Sequence, residues 1–403
     1  MSGPPVGRDE AARLDAADPL AGLRERFVIA DPARIYLDGN SLGRLSVDVR
    51  RALHEAIDDW ADRVVEGWND WVELPARAGD RLARVALGAR DGEVLVADSV
   101  TVNLYKLAHA AAEHRPGPIV TDAANFPTDR YVLEGVAHEL GRDYIEAPSV
   151  DAAIDAAGSG VLCLSHVDYR TGALLDMAAI TRSTDALVIW DVCHSVGAVE
   201  VELAVADLAV GCTYKYLNAG PGAPAFLYVR RELQAEMRSP IQGWFGQRNQ
   251  FAMGAGFDPV DGVERFAAGT PSVPGVAAVD AAVGLVEEAS IGRIAAKGRQ
   301  LTELAVGLFD RWLAPLGLEL ASPRQPHLRG AHVALRHPDA WPICRALIDR
   351  AGVVVDFRQP DIVRLGFSPL TTRFADVWDG LDRLRDVVAT RDYAAVEAAR
   401  RVT

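Results

Sequence analysis

The sequence predicts an α/β protein. A large domain is built on a mostly parallel sheet flanked by helices, and a smaller α+β domain follows it. Three observations lead there. Two short apolar runs, ALVIW ending on Asp191 and DLAVGCTY ending on Lys215, are strand-like, and the segment between them is long enough for a crossover. Strand-to-helix junctions recur before them, as in GEVLVADSVTVNLYKL and PIVTDAANFPTDRYVL. Around Pro315 the pattern changes to the short strand-like runs LGLEL, AHVALR, VVVDF and DIVRLGF with helices between. The resulting division is an N-terminal segment over 1–44 that packs with the small domain, a large domain over 45–312 and a small domain over 313–403.

Bulk properties narrow the class. A chain of 403 residues with 49% hydrophobic and 24% charged residues has ample core for a soluble globular protein. A net charge of -14 argues against a nucleic-acid partner, which needs a basic face. The four cysteines, Cys163, Cys193, Cys212 and Cys344, stand in no metal-ligand spacing and suggest no disulfide framework, which fits a reducing cytoplasm. The N-terminus lacks a signal peptide's basic start and apolar core, and no apolar run reaches spanning length, so neither secretion nor a membrane helix is expected.

The elements follow in order. After a flexible start, a helix is expected around Asp9 to Arg26. Asp38-Gly39-Asn40 in IYLDGNSLGRL is a turn signal. Leu53, Ile57, Trp60 and Ala61 recur at helical spacing within Val47 to Val65. Trp60, Trp68 and Trp71 cluster around Gly67, and Arg77 to Leu87 reads as another helix. A strand from Gly92 runs into a helix with Asp98, Ser99 and Thr101 at the junction. That junction is either an N-cap or an anion site. Phe126 falls in a loop at the sheet edge and Asp129 at a helix start. VLCLS leads into a polar loop carrying His166 and Asp168, and AFLYV reads as a strand returning after Lys215. Trp244, Phe245 and Phe266 imply burial under a lid or against a second subunit. A long helix carries Leu301, Leu304, Leu308 and Trp312. Arg364 lies inside the apolar run IVRLGF and wants an anion, supplied either by a substrate carboxylate or by a protein Asp or Glu.

If the two central strands are parallel, Asp191 and Lys215 both emerge at the carboxyl edge, where open α/β sheets bind ligands. Pyridoxal phosphate needs a lysine for its Schiff base and an acid that keeps its ring nitrogen protonated. The same two residues alone read more readily as an ordinary salt bridge at a sheet edge, the commoner case.

Seven motifs add to this. YLDGNSLG, SVTVNLYKL, FPTD, WDVCHSVG, YKYLNAGPG, GWFG and GTPS, in that order across most of the chain, resemble the kynureninases. These are pyridoxal-phosphate enzymes of the aspartate-aminotransferase fold, or fold type I, that hydrolyse L-kynurenine to anthranilate and L-alanine. The resemblance implies that Lys215 is the Schiff-base lysine, Asp191 the partner of the pyridine nitrogen and Phe126 the residue stacked on the ring. It makes Val100, through its backbone, and Thr101 phosphate binders. Tyr214 becomes a phosphate ligand that also donates a proton. Asp129, Ser165 and His194 line the cofactor, and Trp244 and Thr270 are contributed across a homodimer interface. Arg364 grips the substrate carboxylate. The pair Gly269-Thr270 stands where some relatives, notably animal enzymes, carry Ser-Asn near the substrate ring, which points to plain kynurenine rather than 3-hydroxykynurenine. A cysteine desulfurase or C–S lyase of the same fold is the alternative, as is a non-catalytic scaffold. The first requires a reactive cysteine on a mobile loop, and the second is expected to have lost the lysine.

Overall fold

The computed structural model describes residues 7–395. Its strands, in chain order, are β1 (Ile35–Tyr36), β2 (Val94–Val96), β3 (Ile119–Asp122), β4 (Tyr144–Ala147), β5 (Val161–Ser165), β6 (Leu187–Asp191), β7 (Leu208–Gly211) and β8 (Phe226–Val229), then β9 (Glu319–Leu320), β10 (His332–Arg336), β11 (Val353–Val354), β12 (Asp356–Arg358) and β13 (Ile362–Gly366).

The central sheet has seven strands in the order β2-β8-β7-β6-β5-β3-β4. Pairing is parallel from β4 through β3, β5 and β6 to β7. Only β8 runs against its neighbours, as the tight return after Lys215 requires. Strands β5, β6, β7 and β8 are buried throughout. Helices on both faces explain why they read as unbroken apolar runs and not as alternations. One core lies on the face packed by the Val273–Ala289 helix, with Trp190 and Phe226 at its centre. The other lies under the Val100–His114 and Pro127–Leu140 helices, around Leu104, Leu133 and Ile189.

A second sheet, β12-β13-β10-β9, is antiparallel and packs with the Ala340–Asp349 and Phe374–Thr390 helices. Its core also takes in Leu301, Leu304 and Leu308 from the preceding long helix, and Ile35 and Leu37 from the start of the chain. Strand β1 pairs in parallel with β11, and the Arg8–Ala16 helix packs on Phe374–Thr390. The N-terminal segment is thereby strapped to the C-terminal lobe.

Several expectations change. The helix expected over Asp9 to Arg26 is two pieces, Arg8–Ala16 and a tight turn at Ala21–Arg26. Pro19 lacks a donor and disfavours the α-conformation at Asp18. Asp18 instead bonds the Leu20 amide at 2.9 Å and pairs with buried Lys297 at 2.6 Å. The helix expected over Arg77 to Leu87 is regular only as Leu74–Leu82 and widens over Ala83–Leu87. Trp68 and Trp71 do meet, with ring centroids 5.4 Å apart, but Trp60 is 64% exposed and stands apart from them. The flexible start expected before Asp9 falls largely on residues 1–6, outside the described residues.

Candidate active site

Strands β6 and β7 are adjacent and parallel, with Asp191 opposite Val210. Asp191 is the last residue of β6. Lys215 follows the end of β7 by one turn, so both side chains reach the same carboxyl edge. They line one cavity of about 300 Å³, together with Ser99, Val100, Thr101, Phe126, Asp129, Tyr169, His194 and Tyr214. The Val100–His114 helix points its first turn into this space. Ser99 caps it by accepting from the Val102 amide at 3.4 Å, while the amides of the first turn have no intrahelical acceptor.

Electrostatics divide the cavity floor. Lys215 Nζ lies 2.9 Å from His194 Nε2. Burial, then the Lys215 charge, holds the imidazole well below its ordinary pKa. His194 is therefore neutral and accepts from the ammonium through Nε2, with its hydrogen on Nδ1. That Nδ1 has no hydrogen-bond partner among the described residues. Asp191 accepts from the Cys193 amide at 2.8 Å. Asp129, buried beside it, has its pKa raised far above the carboxylate range, first by burial and then by the Asp191 charge to which it hydrogen-bonds. The proximity of the two carboxylates disfavours the charged form of Asp129. Burial also pushes the Tyr214 phenol up, so it stays protonated. Its ring centroid is 5.9 Å from Lys215 Nζ.

Ser165 sits beneath this floor. It donates to Asn125 Oδ1 at 2.6 Å, and that oxygen also accepts from the Phe126 amide at 2.7 Å. Ser165 and Asn125 thereby fix the loop that carries Phe126, whose ring meets Tyr169 edge-on at 5.2 Å. His166 and Asp168 do not join the site. His166 bonds Ser195 at 2.9 Å with its pKa pushed down to about 4 by burial, and Asp168 closes its own turn by accepting from the Thr171 amide at 2.6 Å.

Trp244 and Thr270 are not brought to the Lys215 cavity of this chain. Thr270 lines a neighbouring space of about 360 Å³ that shares Asp98 and Gly222 with it, and Trp244 meets Phe245 edge-on at 4.7 Å while remaining exposed.

Arg364 lies fully buried on β13. Its Nε donates to Asp356 Oδ1 at 2.9 Å, and its Nη2 donates to Asp356 Oδ2 and, at 3.1 Å, to Ser41. Its Nη1 faces the Tyr169 carbonyl, at the cavity wall. Asn40, oriented with its oxygen inward, accepts from Nε at 2.6 Å. Asp356 also binds Arg358 at 2.8 Å. A protein carboxylate therefore does hold Arg364. Asp356 was legible as an acid in an apolar run. Asn40 and Ser41 looked like mere turn residues, yet their loop reaches Arg364. Gly43 of the same loop receives the Tyr214 carbonyl on its amide at 2.8 Å, and a Cβ there would sit 2.3 Å from the Lys215 carbonyl oxygen.

The chain is 42% identical to the kynureninase of Burkholderia pseudomallei strain 1106a over 98% of both chains, and 40% identical to that of Pseudomonas fluorescens over 97% of both. It belongs to the kynureninase family. The family's C-terminal domain matches residues 294–384, and the class-V aminotransferase domain matches 143–333. Among solved structures, a cysteine desulfurase from Thermococcus onnurineus NA1 superposes with a TM-score of 0.75 over 92% of this chain and 96% of its own, at 18% identity. A Lys-to-Ala variant of the lyase C-DES, with glycine linked to its PLP cofactor, superposes with 0.76 over 93% and 99%, at 16% identity. These likenesses show the fold, fold type I, that kynureninases share with desulfurases. All four cysteines here are buried, so among the described residues no exposed thiol is available for desulfuration.

Kynureninases use pyridoxal phosphate, and the residues fit that group. The cavity is large enough for a pyridine ring with a phosphate. An amine and a pair of neighbouring carboxyl groups stand on its floor, Asp129 Oδ2 lacks a partner among the described residues, and an open helix N-terminus faces the same space.

Proposed function

We propose that this chain hydrolyses L-kynurenine to anthranilate and L-alanine, with plain kynurenine preferred over 3-hydroxykynurenine. The observation that carries the reading is the convergence of Lys215 and Asp191 from adjacent parallel strands on one cavity. When bound, pyridoxal phosphate supplies an electron sink for charge developing beside the substrate amine. The remaining work belongs to side chains. Asp191 would keep the pyridine nitrogen protonated. Val100 and Thr101 hold the phosphate at the helix start, and Phe126 covers the ring. Lys215, held beside His194, would remove the α-proton of the substrate. Tyr214, a protonated phenol at the same cavity, returns a proton to Cβ after cleavage. Each such acid or base step contributes on the order of a hundredfold to ten-thousandfold.

Arg364 binds the substrate carboxylate. One ionised carboxylate, Asp356, serves both Arg364 and Arg358, which leaves a positive charge beside the cavity. The Tyr169 carbonyl now bonded to Nη1 is the acceptor that the substrate would replace. Trp244 and Thr270 belong to the active site of a second copy in a homodimer, consistent with their distance from this chain's own lysine cavity.

Lys215→Ala should abolish both turnover and the visible absorbance of the bound cofactor; full activity in that variant would refute the assignment. Anthranilate fluorescence from kynurenine, set against sulfide release from cysteine, separates this reading from a desulfurase. The ratio of kcat/KM for kynurenine and 3-hydroxykynurenine tests the preference.

A further inference from the structure

Lys106, like Lys297, is a buried lysine paired with a carboxylate. It sits in the interior of the Val100–His114 helix, and its side chain is 0% exposed. Its Nζ donates to Asp98 Oδ2 at 2.6 Å and to the Phe266 carbonyl at 2.7 Å. Burial lowers its pKa and the Asp98 charge opposes that shift. A buried ammonium is tolerated only where a carboxylate compensates it, so Asp98 is its necessary counterion.

The location of Asp98 gives the pair its meaning. Asp98 stands at φ +49, a left-handed conformation that L residues adopt at a cost, immediately before the phosphate end of the cavity. It lines the Lys215 cavity together with Ser99, Val100 and Thr101, and it also lines the adjoining space with Gly269 and Thr270. A carboxylate at that place repels a phosphate dianion. Among the described residues it is Lys106, from within the helix, that pairs with this carboxylate and offsets its repulsion. Through Phe266 the same ammonium ties the loop leading to Gly269-Thr270 onto the helix start.

We infer that Lys106 is a positioning residue of the phosphate site: the Lys106–Asp98 pair neutralises the rim of the phosphate cradle and pins it to the Gly269-Thr270 loop. The inference rests on the pyridoxal-phosphate reading above. Its test is a binding comparison, without turnover. Apoprotein is titrated with pyridoxal 5'-phosphate and with pyridoxal, which lacks the phosphate, for wild type, Lys106→Met, Asp98→Asn and the double variant. Lys106→Met leaves Asp98 facing the phosphate uncompensated. It should weaken pyridoxal phosphate binding by about tenfold or more, with a much smaller effect on pyridoxal. Adding Asp98→Asn to Lys106→Met should restore most of that loss, and Asp98→Asn alone should not weaken phosphate binding. The double variant carries no buried unpaired charge, so it reports even where Lys106→Met is poorly folded. Equal weakening of both ligands, or a double variant no better than a folded Lys106→Met, would overturn the inference. Wild-type protein that fails to bind pyridoxal phosphate more tightly than pyridoxal would instead overturn the cofactor reading beneath it.

Discussion

Asp38 shows how one buried acid can set the acid–base behaviour of a whole face. Burial, and next the charge of Asp356, push its pKa up to about 7, while a hydrogen bond from Ser41 and the Arg364 and Arg358 charges pull the other way. The folded protein therefore holds a proton there that the unfolded chain releases near the ordinary value of 3.8. By linkage this stability is fully present below the unfolded pKa and is lost as pH rises through the folded one. Asp38→Asn keeps the neutral form at every pH. Its melting temperature, compared with that of wild type, should gain steadily between about pH 4 and about pH 7 and level off above. Parallel curves for the two proteins would show that Asp38 is ionised in the fold. Lys215 and Asp191 were legible as chemical types, an amine and an acid at strand ends. The raised pKa of Asp129 was not, because it depends on two carboxylates meeting in a dry interior.

At the scale of elements, the antiparallel pair β12–β13 is built around a charge. Asp356 lies opposite Arg364 across the ladder, and both are almost fully buried. Asp356→Ala leaves the guanidinium without its carboxylate and should cost about 3–5 kcal/mol, measured by urea unfolding. A loss below 1 kcal/mol would mean that Asn40, Ser41 and the Tyr169 carbonyl suffice on their own. The sequence showed an arginine in need of an anion but left two sources open, since cross-strand register is a long-range property. The central strands were readable for the opposite reason. Buried on both faces, VLCLS and LVIWD announce themselves as short apolar runs whatever they pair with. The break at Asp18-Pro19 was visible in the residues, and the helical spacing around it overrode a signal that proline should have decided.

Over the whole molecule, the least expected feature is apolar surface left open. Ile57 is 52% exposed and Trp60 64%, with Val64 and Val65 beside them in sequence. The helical spacing of Leu53, Ile57 and Trp60 was legible and forms a helix over Val47–Arg63, but of that stripe Leu53 packs against the core while Ile57 and Trp60 stay exposed. Elsewhere the aromatic rings run on from Trp71 through Trp68, Phe245 and Trp244 to Phe251. In the proposed homodimer a second copy would cover such surface, and it would bring Trp244 and Thr270 to a foreign lysine. Ile57→Glu with Trp60→Glu should therefore sediment as a monomer and raise KM for kynurenine. An unchanged dimer would place the interface elsewhere. No single chain could reveal this, because periodicity says which residues share a helix face but not which molecule buries it.

The pairing of β1 with β11 has a consequence for how the chain is made. The segment that sets Gly43 beneath the Lys215 loop leaves the ribosome early, and the strand it must join is synthesised near the end. Until then that segment has no ladder to close, however complete the central sheet already is. A nascent chain halted before Val353 would hold its lysine and its acid yet lack the brace beneath them. The capacity to retain the vitamin should thus arrive late and abruptly in translation, well after the strands that carry the chemistry have folded.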